Sequence, residues 1–270
     1  MPEPLIRADD VSKTFPVRGK LFGGRQWLPA VDGVSFSVRP GETVAVVGES
    51  GSGKTTLGRM LLGLLAPSGG SVSFRGQRLD SLRGDAWRKF RREVQVVFQD
   101  TGGSLNPRRS IGASIAVPLR WNLGLGAAEA AGRAATLLDQ VGLPAAQFAA
   151  RLPHALSGGQ RQRVGIARAM ASDPSLVIAD EPVSALDVSV RAQVLRLMRD
   201  LQATRGLAYL FITHDLGVVR AVADRVVVMQ RGRVVEQGTV EAVLDSPSHD
   251  YTKALLAASP KLPARLSAAD

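Results

Sequence analysis

The run Gly48-Glu49-Ser50-Gly51-Ser52-Gly53-Lys54-Thr55 carries the chemistry of a phosphate cradle. Its glycines let the backbone turn tightly, so successive N–H groups point inward at phosphate oxygens. Lys54 then reaches the β- and γ-phosphates of a nucleotide, and the Thr55 hydroxyl reaches Mg²⁺, with Thr56 completing the binding run. Such a loop needs a strand before it and a helix after it. Thr43-Val44-Ala45-Val46-Val47 is a short, β-branched apolar run of the kind buried in a parallel sheet. Leu57, Met60, Leu61 and Leu64 follow at helical spacing. The loop therefore feeds a helix N-terminus, whose orphan N–H groups and dipole favour an anion.

Further groups stand where chemistry can be done. Asp180 and Glu181 close the apolar run Leu176-Val177-Ile178-Ala179. Adjacent side chains at a strand end point in different directions, so the two carboxylates can take separate roles. Leu156-Ser157-Gly158-Gly159-Gln160 precedes a basic amphipathic stretch that reads as a helix starting near Gln160, a second N-terminus suited to an anion. Gln99 follows the apolar run ending in Phe98, and His214 follows Tyr209-Leu210-Phe211-Ile212-Thr213. On its own, a histidine at a strand end is an ordinary hydrogen-bonding residue. Three histidines and no cysteine argue against a transition-metal site, and the lack of cysteine excludes disulfides and iron–sulfur clusters.

These groups need a scaffold. Leu5 to Val11, Val34 to Val38, Ser71 to Phe74, Val94 to Phe98, Leu207 to Thr213, Arg225 to Gln230 and Arg233 to Glu236 read as strands, the last two joined by an Arg231-Gly232 hairpin turn. Pro16 to Pro29 reads as a loop, with Trp27 in it either a packing residue or a partner contact. From about Asp100 to Ala171 the pattern is helical, with breaks at Pro107, Pro118, Gly142 and Pro153. A helix with Val190, Val194, Leu197, Met198 and Leu201 on one face follows Glu181. Strands alternating with helices around a phosphate loop argue for an α/β fold with a mainly parallel sheet and the ligand at the strands' carboxyl ends.

The 270 residues are 45% hydrophobic and 5% aromatic, which makes the core aliphatic. No run approaches the roughly 18 apolar residues of a membrane span. Met1-Pro2-Glu3-Pro4 does not begin a signal peptide, so a cytoplasmic protein is expected. The net charge of +10 admits three readings: a neutral arginine-rich surface, a membrane-proximal one, or nucleic-acid binding. Its densest cluster, Arg88-Lys89-Phe90-Arg91-Arg92, reads as a solvated helix face.

The phosphate loop together with Leu-Ser-Gly-Gly-Gln resembles the ATP-binding cassette (ABC) family, and the likeness spans about residues 5 to 259. It implies a P-loop NTPase cassette with a mainly parallel core sheet, an antiparallel β subdomain and a helical subdomain inserted at about 100–171, all forming one ATPase domain over 1–259, with 260–270 a disordered tail. By this resemblance Asp180 is the Walker B aspartate holding Mg²⁺, and Glu181 the general base for the attacking water. Gln99 is the Q-loop glutamine, touching Mg²⁺ and that water; His214 is the switch histidine on the γ-phosphate. Ser157, Gly158, Gly159 and Gln160 form the signature that faces the ATP of an opposite subunit in a head-to-tail pair. Ser184-Ala185-Leu186-Asp187 is the D-loop crossing that interface, and Phe15 the aromatic that stacks on adenine.

The likeness narrows to the ATP-binding subunits of dipeptide, oligopeptide and nickel importers. It rests on Gln99-Asp100, Ser104-Leu105-Asn106-Pro107-Arg108, Ala179 to Asp187, and Ser246-Pro247-Ser248-His249-Asp250-Tyr251-Thr252, which is similar to that subfamily's His-Pro-Tyr-Thr segment. Asp250 replaces the proline, Thr101-Gly102-Gly103 departs from the usual stretch after Gln-Asp, and the cysteine cluster of some relatives is absent. The Arg-Arg-Glu-Val-Gln-Val-Val-Phe-Gln and Asn-Pro-Arg runs look more like the F-type than the D-type ATPase of such systems.

The resemblance implies a peripheral protein on the cytoplasmic face of the inner membrane. Its implied partners are two transmembrane permeases, a second ATPase of D-type or a second copy of this chain, and, indirectly, an extracytoplasmic solute-binding protein. Nucleic acid is not an expected partner. The competing readings are an exporter cassette and an ABC ATPase acting on DNA or ribosomes. Against the DNA machines, only about a hundred residues without sustained heptads separate loop and signature.

Overall fold

The computed structural model describes residues 3–17, 26–99 and 101–259. The strands in chain order are β1 (Ile6–Val17), β2 (Gln26–Val38), β3 (Thr43–Val47), β4 (Gly69–Phe74), β5 (Gln77–Arg78), β6 (Val94–Val97), β7 (Leu176–Asp180), β8 (Ala208–Thr213), β9 (Arg225–Gln230) and β10 (Arg233–Thr239). The helices are α1 (Lys54–Leu61), α2 (Gly84–Glu93), α3 (Thr101–Ser104), α4 (Ile111–Leu123), α5 (Ala127–Gln140), α6 (Ala145–Phe148), α7 (Gly158–Met170), α8 (Val188–Arg205), α9 (Leu216–Val222), α10 (Val240–Asp245) and α11 (Asp250–Ala257). The chain divides into two compact units, 1–83 with 208–270, and 84–207.

The first unit holds two sheets. One is antiparallel, in the order β2-β1-β4-β5. In the other, β3 lies between β8 and β9, parallel to both, and β10 adds an antiparallel edge. Every residue of β3 and β8 is buried. That fits their continuous apolar sequences, because a parallel strand is covered on both faces. Leu57, Met60 and Leu61 of α1 and Leu216, Val218 and Val219 of α9 complete this core.

Two hairpins close on Arg-Gly turns, and the second of them is the one the sequence pattern predicts. Arg75-Gly76 joins β4 to β5 and Arg231-Gly232 joins β9 to β10, each turn with positive φ at both residues. That is the primed turn form whose twist matches paired strands.

Several expectations are corrected. The supposed loop at Pro16 to Pro29 is strand at both ends, since β1 and β2 remain paired through Thr14↔Pro29, Phe15↔Leu28, Pro16↔Trp27 and Val17↔Gln26. Proline is tolerated here because β2 is an edge strand and β1 has already parted from β4, their last pair being Ser12↔Gly69. The centre of that stretch and the tail after Ser259 lie outside the described residues. Trp27 does not pack into the core; it is 60% exposed. Leu64 is not on the α1 face. The helix ends at Leu61, Gly63 turns left-handed, and the Leu64 N–H reaches back to the Arg59 carbonyl, a Schellman closure. Phe98 falls outside β6 and is exposed.

The second unit pairs β6 with β7 in parallel and carries helices α2 to α8. Between residues 101 and 170 the regular elements are all helical. α4 packs on α5 and α7, and Ile111, Ile115 and Leu119 of α4, Ala130, Ala134 and Leu138 of α5 and Val164 of α7 are all buried. Pro118 does not break α4 as its sequence suggests; the buried face outweighs the one backbone bond proline removes. Phe90 of α2 is buried while Arg88, Lys89, Arg91 and Arg92 are exposed, so that basic cluster is a solvated face.

Candidate nucleotide site

In the first unit the phosphate loop is held from several sides. Gly48 has φ 151° and Gly53 φ 102°; a Cβ on Gly48 would lie 2.1 Å from the Met229 carbonyl oxygen, and one on Gly53 2.3 Å from that of Ala30. Only glycine fits both the conformation and the space. The Gly232 N–H donates to the Ser52 carbonyl at 3.0 Å, and the Ser52 N–H to the Glu49 carbonyl at 3.2 Å. Lys54 is 8% exposed, and its Nζ donates to the Gly48 and Glu49 carbonyls, each at 2.7 Å, and to Ser52 Oγ at 3.3 Å. The ammonium is thus folded over the mouth of its own loop. Glu49, Ser50, Gly51 and Thr55 are exposed and Thr56 half-buried.

Gly53 caps α1 in the left-handed conformation, and no side chain caps that helix. The N–H groups of a first turn have no intrahelical acceptor, so this end is built for an external anion. β3 and β8 run in parallel with Val47 beside Thr213. Gly48 and His214 therefore leave neighbouring strands at the same, carboxyl end. Asp215 fixes the chain after His214, its Oδ1 accepting from the Gly217 and Val218 N–H groups at 2.8 and 3.3 Å. Phe15 is 39% exposed, with Lys13 Nζ 5.7 Å from its ring centroid. It pairs with Leu28, two residues from the Ala30 that touches Gly53, on the same hairpin.

The second unit repeats the strand-end arrangement. β6 and β7 pair with Val97 beside Ala179, so Gln99 and Glu181 each follow by two residues at the same end. Gln99 is exposed; Asp180 and Glu181 are half-buried. Glu181 has φ 50°. A left-handed glutamate costs of order 1 kcal/mol and turns the side chain away from the strand's own alternation. The turn is held by Ser184, whose Oγ donates to the Glu181 carbonyl at 3.1 Å.

Ser157 caps α7, which starts at Gly158 rather than near Gln160. Its Oγ accepts the Gln160 N–H at 3.3 Å, while Gln160 Oε1 accepts the Ser157 N–H at 3.0 Å, a closed capping box. The Ser-x-x-Gln spacing signals this box in the sequence, and the expectations above pass over it. Gly158 and Gly159 pack on Leu186 and the start of α8: added Cβ atoms would lie 3.7 Å from Leu186 Cδ2 and 2.4 Å from Val190 Cγ1. Asp187 is exposed at the N-cap position of α8. At its other end α7 is tied to α3: Arg168 donates to the Ser104 carbonyl at 2.7 Å and to Ser104 Oγ at 3.0 Å, and burial pushes its guanidinium down from the usual value.

The Thr55 hydroxyl in the first unit, and the Gln99 amide oxygen and Asp180 carboxylate in the second, are each hard oxygens of the kind Mg²⁺ takes. The close-approach glycines and the uncapped α1 suit a polyphosphate.

The sequence profile of the family described as ABC transporter matches residues 31–184. The chain is 49% identical to the dipeptide transport ATP-binding protein DppF of Escherichia coli (strain K12), over 96% of this chain and 78% of that one. It is 48% identical to the putative peptide import ATP-binding protein BAB2_1053 of Brucella abortus (strain 2308), over 96% and 78%. It is 50% identical to the glutathione import ATP-binding protein GsiA of Escherichia coli O6:H1, covering 96% of this chain but 41% of GsiA. Among solved structures, the ATP-binding cassette MJ0796, a dimer in a post-hydrolysis state bound to ADP and Pi, superposes with TM-score 0.76 at 29% identity, covering 87% of this chain and 98% of MJ0796. CbiO1 from Clostridium perfringens, part of the ABC transporter complex cbiONQ, gives TM-score 0.76 at 27% identity over 90% and 92%.

Proposed function

The chain belongs to the ABC transporter family of ATP-binding cassettes, and from that premise we propose that it is the ATP-hydrolysing subunit of an importer for dipeptides or a related small solute. The observation that carries the ATPase reading is the phosphate loop: close-approach glycines, a buried lysine and an uncapped helix in one run. Near-half identity to peptide-import subunits over almost the whole chain supports the import side.

In this reading residues 1–259 act as one ATPase domain with the helical region at about 100–171 inserted in it. Lys54 leaves the loop carbonyls for the β- and γ-phosphates, and the N–H groups of the first turn of α1 take phosphate oxygens. Phe15 stacks on adenine. Thr55, Gln99 and Asp180 would hold Mg²⁺, which when bound neutralises charge developing on the phosphates. Glu181 accepts a proton from the attacking water, and His214 holds the γ-phosphate. Ser157, Gly158, Gly159 and Gln160 face the ATP of an opposite subunit, with Asp187 at the same interface. Two cassettes close head to tail on two ATP molecules and open after hydrolysis, a two-state element biased by its ligand.

The second cassette in this reading is a D-type relative, with a second copy of this chain as the alternative. The helical region passes the motion to two transmembrane permeases, which receive solute from an extracytoplasmic binding protein. No helix among the described residues is long and apolar enough to cross a membrane, and the proposed position is peripheral, on the cytoplasmic face of the inner membrane.

The test is purification of the tagged chain from its native membranes in mild detergent, with mass spectrometry of what accompanies it. Two multi-span permeases and a second cassette are expected. Ribosomal proteins or DNA without membrane subunits would overturn the transport reading and leave the ATPase chemistry standing.

A further inference from the structure

The segment Ser246 to Thr252, similar to its subfamily in sequence, has no role in the nucleotide reading above. In the fold it reaches the phosphate loop. The backbone N–H of Glu49 donates to the Tyr251 phenolic oxygen at 3.0 Å, across 202 positions of sequence. Tyr251 is 9% exposed and Thr252 1%, so this face of α11 is packed rather than lying loose on the surface.

α11 is itself anchored. Both oxygens of the Glu236 carboxylate, on β10, hold its approach: Oε1 accepts the Ser248 N–H at 2.7 Å and the Ser248 hydroxyl at 2.8 Å, and Oε2 accepts the His249 N–H at 3.2 Å. His249 then caps the helix, its Nδ1 accepting the Tyr251 N–H at 3.1 Å. One continuous chain of hydrogen bonds runs from the hairpin strand β10 through the α11 cap to the first residue after Gly48.

The other braces on the loop differ in kind. Ala30, Met229 and Gly232 hold it through backbone atoms of sheet strands and their turn, which cannot withdraw without breaking the sheet. Tyr251 is a side chain on a helix that follows the last strand, so its contact can be removed with the sheet intact. We infer that Tyr251 is a positioning residue for nucleotide binding: through its phenolic oxygen, α11 acts as a strut that holds the Glu49 end of the phosphate loop in the phosphate-binding shape. The strut acts on the loop entrance, where the Glu49 carbonyl also receives Lys54 Nζ. Loosening Glu49 therefore also loosens the seat from which Lys54 moves to the phosphates. This inference rests on the ATP-binding reading and adds to it a residue outside the nucleotide motifs.

The test is calorimetric titration of the full chain with Mg–ATP and, separately, with adenosine, for wild type, Tyr251→Phe and Glu236→Gln. Tyr251→Phe keeps the ring and removes only the acceptor. Losing one hydrogen bond of this kind should weaken Mg–ATP binding by about two- to tenfold. Adenosine, which has no phosphates, should bind all three proteins alike. Glu236→Gln, which frees the foot of the strut, should move Mg–ATP affinity in the same direction by a smaller factor. Amide hydrogen exchange gives a second readout: the Glu49 N–H should exchange faster in Tyr251→Phe than in wild type. Wild type that binds Mg–ATP, with Tyr251→Phe binding it equally and keeping Glu49 protected, overturns the strut. A variant that loses adenosine and Mg–ATP by the same factor overturns it too, since that is general destabilisation. Wild type that binds no Mg–ATP overturns the underlying nucleotide reading, and the strut with it.

Discussion

Two helices begin at the sequence features that matter most, and their first turns are finished in opposite ways. At α1 the N-cap is Gly53, left-handed and with no side-chain cap. At α7 Ser157 and Gln160 satisfy each other's backbone N–H in a closed box. At α1 the first-turn N–H groups have neither an intrahelical acceptor nor a side-chain cap, which suits the proposed phosphate as their acceptor. At α7 the fold is complete already. Ser157 Oγ accepts one hydrogen bond there and keeps its own proton to donate. A ligand at α7 is an addition to a finished structure. That fits a primary site at α1 and a conditional contact at α7, made only when a second subunit brings its nucleotide.

The strongest way to sharpen this contrast is to separate binding from turnover. Glu181→Gln removes the proposed general base and should lower ATP hydrolysis by about 10²- to 10⁴-fold while Mg–ATP affinity stays within a few-fold. Near-normal turnover in the variant would remove Glu181 from that role. With ATP retained, any pairing through α7 can be read in the same protein as a shift in sedimentation.

The two helix starts should also answer differently to one added methyl group. Gly53→Ala meets a backbone oxygen at 2.3 Å in a left-handed conformation, whereas Gly159→Ala meets a valine methyl at 2.4 Å. Gly53→Ala should therefore abolish measurable Mg–ATP binding, and a Val190 substitution cannot relieve it. Gly159→Ala should keep Mg–ATP binding and lose turnover several-fold, with Val190→Ala in the same chain restoring part of it. Equal losses of binding in both alanine variants would break the contrast.

The smallest effect concerns the cap on α11. Burial alone would raise the Glu236 carboxyl, but the nearby Thr252 hydroxyl and the hydrogen bonds from Ser248 and the His249 backbone outweigh it and hold the group down at about 2. A carboxyl lowered on folding adds stability above its unfolded value near 4.5, and that contribution is lost as pH falls toward about 2. Melting curves of wild type and Glu236→Gln should thus differ at pH 7 by a few degrees and converge between about pH 4.5 and pH 2. A constant gap across that range would remove the carboxylate from the cap.

Much of this site is legible in one sequence because its parts are local. The strand Thr43 to Val47, the glycines, Lys54 and the start of α1 lie in one stretch, and each follows from residue type and spacing. The Arg-Gly turns are equally local. Other features depend on neighbours far along the chain. Pro16 and Pro29 read as loop residues, yet they lie in strands because the edge of the sheet and the departure of β4 leave them no ladder bond to lose. The left-handed turn at Glu181 has no local signal, since glutamate rarely takes it; Ser184 holds it from the following turn. Tyr251 is the extreme case. Nothing within α11 points to a loop more than two hundred positions away, and only the folded register of β9, β10 and the helices after them brings the two together.

The most direct test of the contrast is Mg–ATP titration at a protein concentration where the chain is monomeric, comparing Lys54→Ala with Ser157→Ala. Removing the loop cation should weaken binding by about tenfold or more, the worth of a charge-assisted bond. Removing the α7 cap should leave monomer affinity within about twofold and cost only helix stability. Equal weakening by the two substitutions, or weakening by Ser157→Ala alone, would contradict the account.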